Sequence, residues 1–84
     1  MNIRLTEHAL EECERRNISV ELVKAVLESP QQIVANIEGR QVYQSKITFA
    51  DKIYLIRVIV EHSEQGVTVI TLYRTSKIEK YWSA

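Results

Sequence analysis

The chain has 84 residues, and its 11 Lys and Arg side chains balance 11 Asp and Glu side chains, so the formal net charge is zero. Zero charge excludes the overall electrostatic attraction that draws strongly basic proteins to nucleic acid. The charge is unevenly distributed: residues 1–38 hold four basic and seven acidic side chains, and residues 39–84 hold seven and four. We expect a bound anion to lie on the C-terminal half of a single domain, residues 1–84. So small a core would gain stability from a partner or from a homodimer.

Cysteine and histidine are scarce in this sequence. Cys13 is the single cysteine, which excludes an internal disulfide, and the two histidines are too far apart to form a metal-binding motif. We therefore expect no bound metal and no cofactor. The N-terminal stretch MNIRLTEHAL contains neither a signal-peptide core nor a membrane-length apolar run. These features predict a cytoplasmic protein without a membrane partner.

Two amphipathic helices are predicted in the first third of the chain. Thr6 is a capping residue for the first helix, whose apolar side chains share one face, and Asn17 ends it. Ser19 caps the second helix, and Pro30 stops it. The short connection predicts that the two helices form an antiparallel pair.

After Pro30 the apolar period changes from helical to alternating. Four strands are predicted, with the sequences QQIVANI, QVYQSKITF, KIYLIRVIVEH and VTVITLYR. Short loops join them, so we predict an α+β fold in which the helix pair packs on one face of a four-stranded antiparallel sheet. Ser76 and Glu79 have capping-box spacing, which predicts a short C-terminal helix.

Alternation along the third predicted strand assigns its two faces. The side chains expected beneath the helices are Tyr54, Ile56, Val58 and Val60. Arg57 then points to the opposite side of the sheet, which we call the open face. The neighbouring strands should add Gln44, Lys46, Thr71 and Tyr73 to this face. The open face therefore collects cations and hydroxyl groups.

Such a set of side chains is suited to cleaving RNA without a metal ion. Arginine offers paired donors to phosphate oxygens, lysine adds charge, and tyrosine or histidine can transfer a proton. The 2′-hydroxyl of RNA supplies the nucleophile, so the protein has only to orient it and stabilise charge on phosphorus.

Each of these side chains also has a purely structural explanation. The stem of Arg57 can cover apolar surface, and Lys46 can simply keep the surface soluble. Tyr73 fits a sheet-packing aromatic residue, and His8 fits a side chain over the first helical turn. Cys13 is interpreted as a small core residue.

The order of several segments resembles a family of short bacterial proteins classed as a domain of unknown function. The segments are LTEHALEECERRNIS, VELVKAVLESPQQIV, QVYQSKI, IRVIVE and VTVITLYRTSKIEKYW. The markers are the histidine of HAL, the arginine pair that ends the first helix, the arginine of the third strand and the segment VITLYRTSK. That family is similar to the RelE/ParE and BrnT toxins of type II toxin–antitoxin systems. The resemblance implies a helix pair on an antiparallel sheet and, for the RelE branch, cleavage of messenger RNA.

Our leading hypothesis is a RelE- or BrnT-like toxin, a metal-independent endoribonuclease acting on mRNA, alone or at the ribosome, and held inactive by an antitoxin. The candidate catalytic residues are His8, Arg57 and Tyr73, and the candidate phosphate- or RNA-binding residues are Arg15, Lys46, Arg74 and Lys77. They form one site if the start of the first helix, the third strand and the end of the fourth strand meet at one edge of the sheet.

The alternative is a noncatalytic domain of the same fold that binds a protein partner, as ParE-like relatives do. The zero net charge departs from the strongly basic character of RelE-type toxins. A plain nucleic-acid-binding module is less well supported, because the sequence has no aromatic and basic stripe for stacking bases.

Overall fold

The computed structural model describes residues 2–35 and 37–84. Over these ranges the elements in chain order are β1 (Ile3–Leu5), α1 (Glu7–Arg16), α2 (Val20–Glu28), β2 (Gln32–Ala35), β3 (Gln41–Phe49), β4 (Lys52–Ser63), β5 (Gly66–Thr75) and α3 (Ile78–Tyr81). A short 3-10 segment, Ile37–Gly39, precedes β3. The strands form one sheet in the order β1-β5-β4-β3-β2. All neighbouring strands are antiparallel except β1 and β5, which are parallel.

The predicted four-stranded antiparallel sheet is wrong, because Ile3–Leu5 adds a fifth strand parallel to β5. This strand is too short for alternation to reveal it. Its close approach depends on Gly66, which has a φ of +136° and on which a Cβ would overlap the carbonyl oxygen of Asn2. That carbonyl accepts a hydrogen bond of 2.8 Å from the Val67 N–H. The α+β class itself agrees with the prediction.

The first two helices begin at the predicted capping residues. The Thr6 hydroxyl accepts a hydrogen bond from the Ala9 N–H, and the Ser19 hydroxyl accepts one from the Leu22 N–H. Asn17 ends α1 in the left-handed conformation, with a φ of 54°. Local side-chain bonds therefore fix where the two helices begin, and the backbone conformation of Asn17 fixes where α1 ends.

The main core lies between the sheet and the first two helices. α1 packs on β5 and β1, and α2 packs on β3 and β4. The helices and the connection between them contribute Ala9, Cys13, Ile18, Val23, Val26 and Leu27, and the strands contribute Tyr43, Ile56, Val58, Val60, Val67, Val69 and Leu72. The predicted positions of Ile56, Val58 and Val60 beneath the helices are thus confirmed, whereas Tyr54, predicted with them, lies against Phe49 outside this core. The pairing of β4 with β5 shifts by one residue between Ile59 and Val60, so Ile70 has no partner on β4. This irregularity breaks the alternation along β5, and Ile70 does not join Leu72 in this core.

The short C-terminal helix is confirmed as α3, four residues long. Lys77 is the residue just before α3, and no side chain caps this helix. The predicted cap by Ser76 therefore does not form. Among the helices of residues 2–35 and 37–84, none is long and apolar enough to cross a membrane.

Candidate functional site

Arg57 lies on the open face of β4, directly between Gln44 on β3 and Tyr73 on β5. Its Nε donates a hydrogen bond of 2.9 Å to Oε1 of Gln44, and its Nη1 donates one of 2.7 Å to the Tyr73 hydroxyl. The guanidinium carbon lies 4.2 Å from the ring centroid of Tyr81, which is cation–π geometry. We call these four residues the Arg57 cluster. The prediction that Arg57 points away from α1 and α2 is confirmed.

Gln44 is a fully buried polar side chain within this cluster. Its oxygen accepts the bond from Arg57, and its Nε2 donates to Oε1 of Gln32 at 2.7 Å and to the carbonyl oxygen of Tyr81 at 3.2 Å. Burying an amide costs free energy unless both of its ends are bonded, and here both are. Gln44 therefore fixes the guanidinium relative to the sheet and to the C-terminal segment.

The C-terminal segment, residues 78–84, lies across part of the open face. The Gln32 side-chain amide donates to the carbonyl oxygen of Ser83 and accepts a bond of 3.1 Å from the Ser83 N–H. Nζ of Lys46 lies 4.1 Å from the ring centroid of Trp82. The open face is therefore partly covered, and Arg57 and Tyr73 are half-buried rather than fully exposed.

Tyr81 gives the cluster a second phenol beside that of Tyr73. The two rings meet edge to face, with centroids 6.2 Å apart. The pKa of the Tyr81 phenol is lowered from its ordinary value, chiefly by the Tyr73 hydroxyl and further by Lys80 and Arg57. A phenol that ionises at lower pH is a better proton acceptor nearer neutrality. The cluster therefore combines a guanidinium with two phenols, one of which ionises more readily than an ordinary tyrosine.

His8, in the first turn of α1, lies beside β5 at the point where β1 has ended. Its Nε2 is 3.1 Å from the Thr71 hydroxyl, which belongs to the VITLYRTSK segment. Thr71 precedes Tyr73 by two residues and therefore shares its face of the sheet. His8 therefore contacts β5 through Thr71, two residues before Tyr73.

Arg74 and Arg15 lie on the helix side of the sheet, opposite Arg57. Arg74 pairs with Ile56 on β4, its Nη1 donates to the Arg16 carbonyl oxygen at 2.6 Å, and its guanidinium carbon is 4.0 Å from the Phe49 ring centroid. Arg15 donates to both carboxylate oxygens of Glu12, at 2.9 and 2.8 Å. The sheet therefore separates these two candidate phosphate ligands from Arg57.

Glu12 is the buried acceptor for the two arginines in the last turn of α1. Hydrogen bonds from the Arg15 and Arg16 side chains lower the pKa of Glu12 from 4.5 to about 2. The arginine pair that marks the end of the first helix thus makes an intrahelical ion-pair network.

The two candidate lysines differ in their relation to Arg57. Lys46 follows Gln44 by two residues on β3, shares its face and borders the cluster through Trp82. Lys77 is exposed in the connection between β5 and α3, where its backbone N–H donates to the Thr75 hydroxyl.

Sequence reasoning missed Tyr81, Trp82 and Gln32 as parts of this surface. The stretch EKYW does contain two neighbouring aromatic residues, which is the one available signal. Periodicity does not indicate where a four-residue helix folds back, because its position depends on amide bonds from β2 and β3.

A family model described as "Domain of unknown function (DUF4258)" matches residues 5–74. The match begins just before α1 and ends near the end of β5, so it contains the strands that carry Gln44, Arg57 and Tyr73. Tyr81 lies beyond it. The comparisons with curated proteins and with solved structures gave no match.

Proposed function

This chain belongs to the DUF4258 family, and from the geometry of its Arg57 cluster we propose that it cleaves RNA phosphodiester bonds without the help of a metal ion. The observation that carries the proposal is the position of the Arg57 guanidinium. It donates a hydrogen bond to the Tyr73 hydroxyl and lies against the ring of Tyr81, whose pKa is lowered. Following the resemblance to RelE-like toxins, we propose mRNA as the substrate, free or on the ribosome, and an antitoxin as the inhibitor in the cytoplasm.

In this proposal the RNA supplies its own nucleophile. The Tyr81 phenolate accepts the proton of the 2′-hydroxyl, and the 2′ oxygen attacks the neighbouring phosphorus. The bond to the 5′ oxygen breaks, and Tyr73 donates a proton to that departing oxygen. The products are a 2′,3′-cyclic phosphate and a 5′-hydroxyl end.

Arg57 stabilises the charge that develops on the nonbridging phosphate oxygens. Its Nε and Nη1 are held by Gln44 and Tyr73, and no residue in the described ranges accepts a hydrogen bond from its Nη2. A fixed guanidinium with a free donor needs little reorganisation when the phosphate charge increases. Lys46, at the border of the cluster, adds attraction for an adjacent phosphate.

A second candidate function is the noncatalytic one, in which the domain binds a protein partner. Gln44 and Tyr73 accept hydrogen bonds from Arg57, and the Tyr81 ring covers one face of its guanidinium. These contacts are also consistent with a structural role in which Arg57 holds the C-terminal segment against the sheet. The zero net charge favours this alternative too.

The deciding experiment incubates purified, antitoxin-free protein with mRNA, alone and on translating ribosomes, in the presence of a chelator. We expect Arg57→Ala to lose on the order of 100-fold in cleavage while the fold is retained. Arg57→Lys should not restore the rate, because an ammonium cannot reproduce the paired donors. Arg40→Ala, which removes a surface ion pair with Glu61, is the matched control and should cleave normally.

Expression of the same variants in cells separates the alternatives. Growth arrest that persists in Arg57→Ala, with no RNA cut in either setting, would identify a protein-binding toxin. Absence of both cleavage and arrest in the unmodified protein would identify a noncatalytic binding domain.

A further inference from the structure

A shallow depression of about 650 Å³ lies on the helix side of the molecule, between the end of α1, the start of α2 and the β3–β4 turn. Its apolar lining includes Leu10, Val20, Leu22 and Phe49, with Cys13 among the lining residues. Leu10 is 48 % exposed, although it belongs to a helix whose opposite face is in the core. Exposed apolar surface inside a depression is typical of a binding site.

One carboxylate, that of Glu14, lines the depression, and a second, that of Glu7, lies further along α1. Glu7 and Glu14 stand three residues before and four residues after Leu10, so they lie on the same face of the helix. Both are exposed, and within residues 2–35 and 37–84 no basic side chain forms an ion pair with either. Their charge is therefore available to a partner.

The depression is lined by the side chains of two helices and of a strand end, and the edge strands of the sheet, β1 and β2, do not border it. Backbone pairing with an added strand is thus excluded as the mode of recognition. Such a surface can instead bind a helix that inserts the apolar side chains of one of its faces.

We propose that this depression binds an amphipathic helix of a partner protein. The apolar side chains of that helix insert beside Leu10 and Phe49, and its lysine or arginine side chains pair with Glu7 and Glu14. The sheet separates this surface from the Arg57 cluster, so the proposal does not rest on RNA cleavage. A partner bound here leaves the open face accessible.

The test uses a synthetic helical peptide about 14 residues long, with leucines at helical spacing on one face and lysines elsewhere. A second peptide has glutamate in place of every lysine. Titration calorimetry should show binding of the lysine peptide at least about tenfold tighter than binding of the glutamate peptide. Raising the salt concentration to about 0.5 M should reduce this difference.

Variants of the protein locate the site. Leu10→Asp and Glu14→Lys should each weaken binding of the lysine peptide by at least about tenfold. Ile53→Asp removes another exposed apolar side chain, on the open face, and Glu79→Lys changes a charge on α3, so both should bind as the unmodified protein does. Circular dichroism melting confirms that each variant is folded, which is expected because the substituted side chains are exposed.

Several outcomes would overturn the proposal. These are failure of the lysine peptide to bind, equal affinities for the two peptides, and equal weakening by Leu10→Asp and Ile53→Asp. A dimer in sedimentation experiments that Leu10→Asp dissociates would assign the surface to a second copy of the chain instead. Arg57→Ala must retain peptide binding, so failure of this proposal and failure of the RNA cleavage proposal give different results.

Discussion

The side-chain oxygen of Gln44 accepts a hydrogen bond of 2.9 Å from Nε of Arg57 across the β3–β4 pair. Because Gln44 is fully buried, rotation of the guanidinium would leave its oxygen without a partner at a place where water cannot replace it. The amide nitrogen is held in turn by Gln32. The orientation of Arg57 is therefore set by a satisfied buried network rather than by solvent.

Gln44→Leu should destabilise the protein, because it leaves Nε of Arg57 without its acceptor and removes one of the two donors to Oε1 of Gln32. We expect the free energy of unfolding, from urea titration, to fall by about 1–3 kcal/mol. Gln41→Leu, at a less buried position of the same strand, is the control and should change it by less than about 0.5 kcal/mol. Equal losses in the two variants would show that the network contributes nothing specific.

The lowered pKa of Tyr81 predicts the pH dependence of cleavage. A proton acceptor works in its ionised form, so the rate should rise with pH and reach half its maximum below the ordinary tyrosine pKa of about 10. Tyr81→Phe keeps the ring near Arg57 but removes the hydroxyl, and should abolish this rise and slow cleavage on the order of 100-fold. Tyr54→Phe is the control, since Tyr54 lies by Phe49 outside the cluster.

Ultraviolet titration of the phenols tests the same shift without any activity assay. The chain has four tyrosines, so the difference between the unmodified protein and Tyr81→Phe isolates the titration of Tyr81. A difference curve centred at or above the ordinary tyrosine value would contradict the assigned role.

Glu12 should make the protein sensitive to acid. Its pKa is about 2 in the folded chain and returns towards 4.5 on unfolding, so its ionised form stabilises the fold above pH 4.5. This contribution is lost as the pH falls from 4.5 to about 2, because protonation breaks the bonds to Arg15 and Arg16. Glu12→Gln should therefore have a lower urea midpoint than the unmodified protein at pH 7, and the difference should shrink towards pH 2.

Glu14→Gln provides the comparison for this experiment, since it removes an exposed carboxylate from the same helix without touching the two arginines. Its urea midpoint should follow that of the unmodified protein across the whole range. A gap between Glu12→Gln and the unmodified protein that stays constant down to pH 2 would show that the ion pairs are not its cause.

Local chemistry explains which parts of the fold could be predicted from the sequence. Thr6, Ser19 and Asn17 act through bonds to their own helices, so their positions alone define where α1 and α2 begin or end. Alternation places Arg57 on the open face because the pleat of β4 is regular at that point. The short β1 was missed because its pairing depends on Gly66, which is distant in sequence.

The candidate site was harder to predict, for a different physical reason. Arg74 and Tyr73 are adjacent on β5 and therefore project from opposite faces, so the same alternation rule that places Arg57 also separates these two. Tyr81 enters the cluster because the buried Gln44 amide bonds to its backbone carbonyl and the Gln32 amide bonds to the backbone of Ser83. A tertiary bond of this kind leaves no periodic signal in the sequence.

Gly66 and Gly39 offer a matched test of the β1–β5 junction. Both have positive φ, +136° and +76°, so an alanine at either position is strained by about 1–3 kcal/mol. A Cβ at Gly39 meets no atom within 4 Å, whereas one at Gly66 overlaps the backbone of Asn2. Gly66→Ala should therefore lower the free energy of unfolding more than Gly39→Ala does, and speed hydrogen exchange of the Val67 N–H, which donates to the Asn2 carbonyl. If Gly66→Ala and Gly39→Ala destabilised the protein equally, and the Val67 amide stayed protected from exchange, then β1 would not need the space that Gly66 leaves.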